Sequence, residues 1–525
     1  WNVSFTHDSG ASGEMLFPEM IGGGVAVFDA DGDLDLDLYF VSGAPQLGKA
    51  LEPGGPVNRL FLQGDDGRFT DATDFSGLGD PGFGTGVAVG DTNNDGYEDV
   101  FVANLGPDRL YRGLGSGIYE DVTQTSGIAA SGSAAEAWST SAAFCDINRD
   151  GYLDLYVVRY VVFDREITCT DKAGRREYCG PDSFEDRTDV LFLNQGDGTF
   201  RDITAAAGID VVTGAGLGIV CEDVDGDGWV DIYIANDGDP NQLWMNQRDG
   251  TFIDDALIMG ISVNASGIHE AGMGVVAADF DNDMDFDFFL THLRGETNTF
   301  YRNLGSGLGF DDRTTQVGLG ASSVPYTGFG TAPIDLDLDG DLDLVIVNGR
   351  VLKDDPLTNS LPEPWNFYAE PNLVYVNDAD SFQLLRAGVE AFTAPIEVGR
   401  GLAVGDLDGD GDLDLVVTNL ASPARLYRAE SPPNHWLLVD AFDPRLNRRA
   451  LGSRVTVTSG ERRQRRTIQS AMSYLSSSDP RAHFGFGSQD EAVSITILWP
   501  DGLEETFSEV AVDQAIVLRR GEGSS

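Results

Sequence analysis

Oxygen-bearing side chains recur along this chain at a spacing suited to wrapping a hard cation. The segment GDLDGDGDLDLVV, Gly405–Val417, carries carboxylates at Asp406, Asp408, Asp410 and Asp414. Counted from Asp406, these are positions 1, 3, 5 and 9. A main-chain carbonyl at position 7, Asp412, adds a fifth oxygen, and water completes the shell. Six to eight oxygens around one ion is calcium chemistry, whereas magnesium resists dehydration and demands a stricter octahedron. Glycine at position 6, Gly411, suits so tight a turn because it lacks the β-carbon that opposes a left-handed backbone.

Six more copies precede this one. The side-chain ligands of the first are Asp29, Asp31, Asp33 and Asp37, with Asp35 at position 7. The second has Asp91, Asn93, Asp95 and Asp99 with Tyr97, and the third has Asp146, Asn148, Asp150 and Asp154 with Tyr152. The fourth has Asp223, Asp225, Asp227 and Asp231 with Trp229, and the fifth has Asp279, Asp281, Asp283 and Asp287 with Asp285. In the sixth they are Asp335, Asp337, Asp339 and Asp343, with Asp341. The expectation is about seven calcium ions, one per copy. Position 6 is glycine in five copies but Leu34 in the first and Met284 in the fifth. A β-carbon in a left-handed backbone costs about 1–2 kcal/mol, so those two sites should be weaker or differently shaped. Each loop starts like an EF-hand, but position 12 is aliphatic (Ile346, Val417) and a strand follows.

The sixth copy states the physical problem most plainly. DLDLDGDLDL, Asp335–Leu344, alternates as a half-buried strand would, yet it lines up five aspartates with no lysine or arginine among them. An ion supplies the missing charge if Asp335–Asp341 is a loop and the strand starts near Leu342. A merely solvated acidic surface would not confine its charge to one spacing seven times.

The elements that position these loops follow from the repeat. First aspartates lie at 29, 91, 146, 223, 279, 335 and 406, a period that marks a repeat architecture. A glycine-flanked apolar run precedes each loop, as in GTGVAVG and GRGLAVG, and an aliphatic or aromatic run follows. A hairpin such as LFLNQGDGTFRD, Leu191–Asp202, then completes four short strands. Seven four-stranded units read as an all-β, seven-bladed β-propeller, whose radial closure protects the sheet edges. The seventh copy has a third strand near Ala424–Arg428, and Val3–Gly10 is the candidate for its fourth, closing the ring. Two insertions, roughly Arg159–Arg187 and VLKDDPLTNSLPEPWNFYAEPN before the last copy, are candidate binding loops.

Charge divides the chain. The net charge is −52, yet residues 430–525 hold 11 of the 34 basic residues against 13 of the 86 acidic ones. The composition shifts near Ser431-Pro432-Pro433, so residues 1–430 form the propeller and 431–525 a second unit. That unit has alternating strands and a Trp499-Pro500-Asp501-Gly502 turn, which reads as a small β-sandwich. Such acidity argues against nucleic acid and anionic lipid, both of which need cations to neutralise phosphate. No apolar run is long enough to span a membrane. A chain that starts at Trp1 is expected to have lost its signal peptide. Cys169 and Cys179 bracket a short polar loop and read as a disulfide formed in an oxidising compartment. Cys145 and Cys221 sit just ahead of two acidic loops, as packed thiols or a cross-link.

The loops resemble the FG-GAP/VCBS repeats of integrin α-subunit propellers. With NHWLLVDAF (Asn434–Phe442), LGSRVTV (Leu451–Val457), SAMSYLSSSDPRAHFGFG (Ser470–Gly487) and WPDG (Trp499–Gly502), the chain is similar to the cartilage-acidic-protein (CRTAC) family, a propeller followed by an ASPIC/UnbV domain. The resemblance implies a secreted or cell-surface calcium-binding protein acting as an adhesion or interaction module toward a protein or glycan partner.

No nucleophile elbow, phosphate loop or HExxH motif is present. Some propellers with such repeats are lyases or dehydratases, so the alternative is an enzyme with His269, Glu270 and His292 at the channel mouth. Trp138, Arg159, Asn236, Asp237, Arg350 and Arg400 occupy equivalent strand ends there. The plainer reading is that these residues tie inter-blade loops together. Arg462, Arg463, Arg465 and Arg466 could meet an acidic glycan, but their spacing reads as a solvated strand edge.

Overall fold

The computed structural model describes residues 1–43, 55–130, 137–358, 361–378 and 381–524. Asn359 and Ser360, in the second insertion, lie outside the described residues. Period-two alternation in each repeat produces seven successive antiparallel sheets. In every sheet the residue before the first aspartate pairs with the position-9 aspartate: Phe28 with Asp37, Gly90 with Asp99, Cys145 with Asp154, Glu222 with Asp231, Ala278 with Asp287, Ile334 with Asp343 and Gly405 with Asp414. One register therefore sets all seven loops at the same end of their strands. The first strand of each sheet packs on the first strand of the next, and Val398–Gly405 of the seventh closes on Val25–Phe28 of the first. The sheets thus radiate in a propeller-like ring.

Five sheets have the expected four strands, the first has its four plus two short strands from Ala471–Ser477, and the seventh has three. The segment around Val3–Gly10 reaches it through isolated bridges, Thr6 to Pro423 and His7 to Leu420, and not through a strand ladder. Asn2 also bonds across to Phe69 in the first sheet, so the segment spans the seam between the last sheet and the first.

Beyond residue 434 the chain folds into two further four-stranded sheets. His435–Asp443 pairs with Ala482–Gly487 and, in parallel, with Gln514–Arg519. Arg454–Ser459 pairs with Arg462–Thr467 and Val493–Leu498. The apolar faces of these strands do not form a closed core of their own. Val455, Ile495 and Phe484 belong to one buried cluster with Phe101, Phe144 and Phe192 of the second and third propeller-like sheets.

The same region sends a serine-rich loop into the middle of the ring. Ser470–Pro480 is almost wholly buried. Ser476–Ser477 adds in parallel to the first sheet at Ala26, and Ser473 bridges to Val275 of the fifth. The Val87 N–H of the second sheet donates to the Leu475 carbonyl of this loop at 3.1 Å, and the Asp479 N–H of the loop donates to the Val404 carbonyl of the seventh sheet at 3.0 Å. The Ser473 hydroxyl accepts the Thr331 N–H of the sixth sheet. Tyr474 stacks edge-on against Phe329, within an apolar cluster that includes Phe17, Trp138, Met273 and Leu475. The channel of the ring is therefore filled with protein. The serines suit this place because their hydroxyls satisfy inner-strand N–H groups that face the axis.

Candidate metal centres

The turn that carries each acidic loop is held by its own carboxylates. The position-1 aspartate accepts the N–H of position 6: Gly96 to Asp91, Gly151 to Asp146, Gly228 to Asp223, Gly340 to Asp335 and Gly411 to Asp406. The position-5 aspartate accepts the N–H of position 7, as Tyr97 to Asp95 and Trp229 to Asp227 at 2.9 and 2.7 Å. The position-9 aspartate ties the loop to its sheet. Asp343 takes the N–H of Leu336 at position 2 and that of Asn377 in the third strand, and Asp37, Asp231 and Asp414 do the same in their sheets.

Position 6 has positive φ in all seven loops, 78° at Leu34 and 83° at Met284 included. Position 4 is also left-handed throughout, from 57° at Leu338 to 87° at Gly32. Sequence reasoning missed that second requirement, although Gly32, Asn94, Gly226, Asn282 and Gly409 at this position were its signal, since glycine and asparagine tolerate the conformation best.

The carboxylates converge. In five loops three oxygens lie within 4.8 Å of one another: Asp29, Asp31 and Asp33; Asp223, Asp225 and Asp231; Asp279, Asp281 and Asp283; Asp335, Asp337 and Asp339; Asp406, Asp408 and Asp414. The first and fifth loops are among them, so Leu34 and Met284 do not prevent closure. In the second and third loops position 3 is Asn93 or Asn148, whose amide donates to Asp95 or Asp150 at 2.8 or 2.9 Å.

Burial makes these clusters hungry for positive charge. Loss of water pushes the carboxyls of Asp37, Asp231 and Asp343 up to about 8, and those of Asp99 and Asp414 up to about 7. Asp279 and Asp335 rise to about 7, and Asp91 and Asp406 to about 6, for the same reason. Neighbouring aspartates add to the shift in each case. One oxygen each of Asp223, Asp279 and Asp287 is buried with no hydrogen-bond partner. A buried, unpartnered carboxylate oxygen is costly, and an oxygen-seeking cation among three of them removes that cost. The donor set therefore fits a hard divalent ion. At position 7 of the sixth loop the Asp341 carboxylate accepts from Arg462 and Asn282.

The C-terminal arginines cover this face. Arg454 pairs with Asp223 at 2.8 Å, Arg448 with Asn94 at 2.8 Å and Arg449 with Glu98 at 2.7 Å. Arg465 donates to the Met284 carbonyl, and Arg466 is buried against Phe484. Arg462, Arg465 and Arg466 of the strand Arg462–Thr467 thus meet the acidic loops, which corrects the expectation of a solvated edge for these three, while Arg463 is exposed. Their crowding into the last residues of an acidic chain was the available signal.

His269 is exposed, and Glu270 accepts the Thr299 hydroxyl. His292 is buried, with its ring Nδ1 against the Thr297 carbonyl at 2.8 Å. The other strand ends hold one another: Tyr160 donates to Asp237, Arg350 pairs with Glu370, and Arg159 lies 3.7 Å from Asp108. Arg400 is fully buried, bonded to the carbonyls of Met20 and Gly399 and stacked on Phe329. Both disulfides, Cys145–Cys221 and Cys169–Cys179, are formed. Among the described residues no helix is long and apolar enough to cross a membrane.

Comparison with known proteins defines the class. The FG-GAP-like repeat family matches residues 91–157, 178–233 and 223–290, the FG-GAP repeat family matches 398–427, and the ASPIC and UnbV family matches 443–525. The chain carries FG-GAP repeats and an ASPIC/UnbV region. It is distantly related to cartilage acidic protein 1: 27% identical to that of Mus musculus over 92% of this chain and 71% of the relative, and 26% identical to that of Homo sapiens over 92% and 70%. Among solved structures it is loosely similar to a Bacillus licheniformis rhamnogalacturonan lyase, with a TM-score of 0.39 and 13% identity over 78% of this chain and 72% of that one.

Proposed function

We propose that residues 1–430 form a calcium-loaded, seven-bladed β-propeller, that residues 431–525 form a β-sandwich seated on it, and that the whole acts outside the cytoplasm as an interaction module toward a protein or glycan partner. The observation that carries the reading is the set of five convergent aspartate triads, four of which include a buried member, with one buried oxygen of Asp223 and one of Asp279 lacking a hydrogen-bond partner. The ions would be held by side chains at positions 1, 3, 5 and 9 of each loop and the carbonyl at position 7. Bound calcium supplies charge neutralisation and a fixed loop geometry. Asn93 and Asn148 keep a neutral oxygen ligand in the second and third loops.

Two features support interaction over catalysis. The axis of the ring, where a propeller offers a natural cavity, is occupied by Ser470–Pro480. Several strand ends opposite the loops, among them Asp237, Arg350 and Arg400, are engaged in hydrogen bonds within the protein. Two disulfides and the relationship to cartilage acidic protein 1 support a place in an oxidising compartment. A calcium titration by calorimetry, with an anomalous diffraction map collected on the same protein, tests the reading. Anomalous peaks in the five triad loops, and in the two asparagine-bearing ones, are expected. Loops free of calcium at millimolar concentration would reject it.

A further inference from the structure

Six of the seven propeller-like sheets cover their third strand with a fourth, and the seventh does not. The six covers follow one pattern. Each opens on a buried aromatic residue: Phe69, Tyr119, Phe200, Phe252, Phe310 and Phe382. In the first five an aspartate follows two positions later. It pairs with an aromatic residue of the third strand, as Asp71 with Phe61 and Asp121 with Tyr111. Four of the five continue to a threonine, Thr73, Thr123, Thr204 and Thr314, whose hydroxyl accepts an N–H of the third strand. The covering segment therefore reads aromatic-x-aspartate-x-threonine.

The third strand of the seventh sheet, Arg425–Tyr427, has the features that such a segment meets elsewhere. Arg425 pairs with Val417 of its second strand as Arg59 pairs with Phe40 in the first sheet. At the place of Arg425, Arg59 and Arg109 reach the covering aspartates Asp71 and Asp121, at 2.6 and 3.6 Å. Arg425 holds Glu397 instead and is 45% exposed. Leu426 and Tyr427 are only partly buried, whereas Leu60 and Phe61, at their places in the first sheet, are buried. The N-terminal segment does not supply the cover. The Phe5 carbonyl accepts the Ala424 N–H as the Asp80 carbonyl accepts that of Asn58, and Asp80 lies beyond the fourth strand and the short helix after it. Among the described residues no strand pairs with the outer side of Arg425–Tyr427. An open strand edge with apolar side chains is a template for another strand.

We propose that this edge is a docking site for an extended segment of a partner protein that carries the pattern aromatic-x-aspartate-x-threonine and adds as an antiparallel fourth strand. The aromatic residue covers the apolar side chains, the aspartate meets Arg425, and the threonine hydroxyl accepts the Leu426 N–H. The proposal rests on the interaction-module reading and names the partner's chemistry. Calcium titration does not depend on it, so failure here and failure of the metal reading are separable. The probe is a synthetic peptide with the sequence of residues 67–77, GRFTDATDFSG, which covers the first sheet. Fluorescence anisotropy with the full chain in saturating calcium measures its binding, and hydrogen exchange locates it. Saturable binding with new amide protection at Arg425–Tyr427 is expected. Peptides carrying Phe69→Ser or Asp71→Asn, and a scrambled peptide, should bind at least tenfold more weakly. Arg425→Glu in the protein should weaken the original peptide tenfold or more, and a peptide carrying Asp71→Arg should recover the loss. Should Arg425→Glu misfold, the protection map of the unaltered protein decides. No saturable binding, equal binding of the scrambled peptide, or protection confined to other sheets would overturn the proposal. So would docking only when the same sequence is fused ahead of Trp1, because the edge would then take a tethered strand and not a partner's.

Discussion

On the loop face of the ring one turn is built seven times, and its carboxylates crowd together; on the opposite face individual acids have different partners. Tyr160 serves Asp237, Arg350 serves Glu370 and Thr299 serves Glu270. A periodic solution repeats the same ligand type at each site and so cannot neutralise itself, whereas an aperiodic one can. The loop face consequently depends on charge from elsewhere, in part from the C-terminal arginines and, on our reading, chiefly from calcium. The opposite face does not.

Removing calcium should therefore break the comparison's first half and leave its second intact. With EDTA the melting temperature is expected to fall by tens of degrees, because binding energy at such sites is folding energy. Thermal scans with and without chelator check this, and an unchanged melt contradicts the dependence of the loop face on metal.

The loop inserted along the axis joins the two faces, and the next largest effect should come from it. Tyr474 is completely buried against Phe329 and Arg400. Tyr474→Ala is expected to destabilise by about 3–5 kcal/mol, the cost of emptying an aromatic core site. Denaturant unfolding measures it. If the C-terminal region merely rests on the ring, the loss will be far smaller.

How much of this was readable in advance follows the same division. The seven loops, the carboxylates that converge in five of them and the strand that begins near Leu342 were legible because a fixed register repeats. The strained positions Leu34 and Met284 were legible as departures from it. The axial loop was not: Ser470–Pro480 reads as a polar surface segment, and only its pairing with several inner strands at once makes its serines interior residues. The cover of Arg462–Arg466 on the acidic loops was hidden for a related reason, since alternation along a strand says which residues share a face but not what that face meets. The fourth strand expected from Val3–Gly10 shows the limit of local resemblance, because two bridges and the two side-chain bonds of Asn2 help hold the seam in its place.

A pH series probes the face that neutralises itself. Burial raises the Asp237 carboxyl to about 7, with Glu296 nearby adding to the effect. An acid held above its unfolded pKa keeps its proton in the folded state, so its stabilising contribution is complete below about pH 4 and is lost as pH climbs toward 7. Asp237→Asn keeps the shape and removes the titration. In saturating calcium the melting temperature of the wild type should drop relative to Asp237→Asn between pH 5 and pH 7.5, and parallel curves would show that Tyr160 already holds the carboxylate ionised.

The smallest effect returns to the repeat itself and sharpens what strain costs there. Leu34 holds φ at 78° with its side chain 76% exposed, so replacing it removes a β-carbon clash and sacrifices almost no burial. Leu34→Gly should relieve about 1–2 kcal/mol of left-handed strain and return about 0.5–1 kcal/mol through the freer unfolded chain, a net gain near 1 kcal/mol in denaturant unfolding. Met284→Gly should gain less. Its side chain is partly buried, and its carbonyl is the acceptor for Arg465, so loosening that residue disturbs a contact with the arginine-bearing face. Equal gains at both sites would mean that this contact contributes nothing to holding the fifth loop.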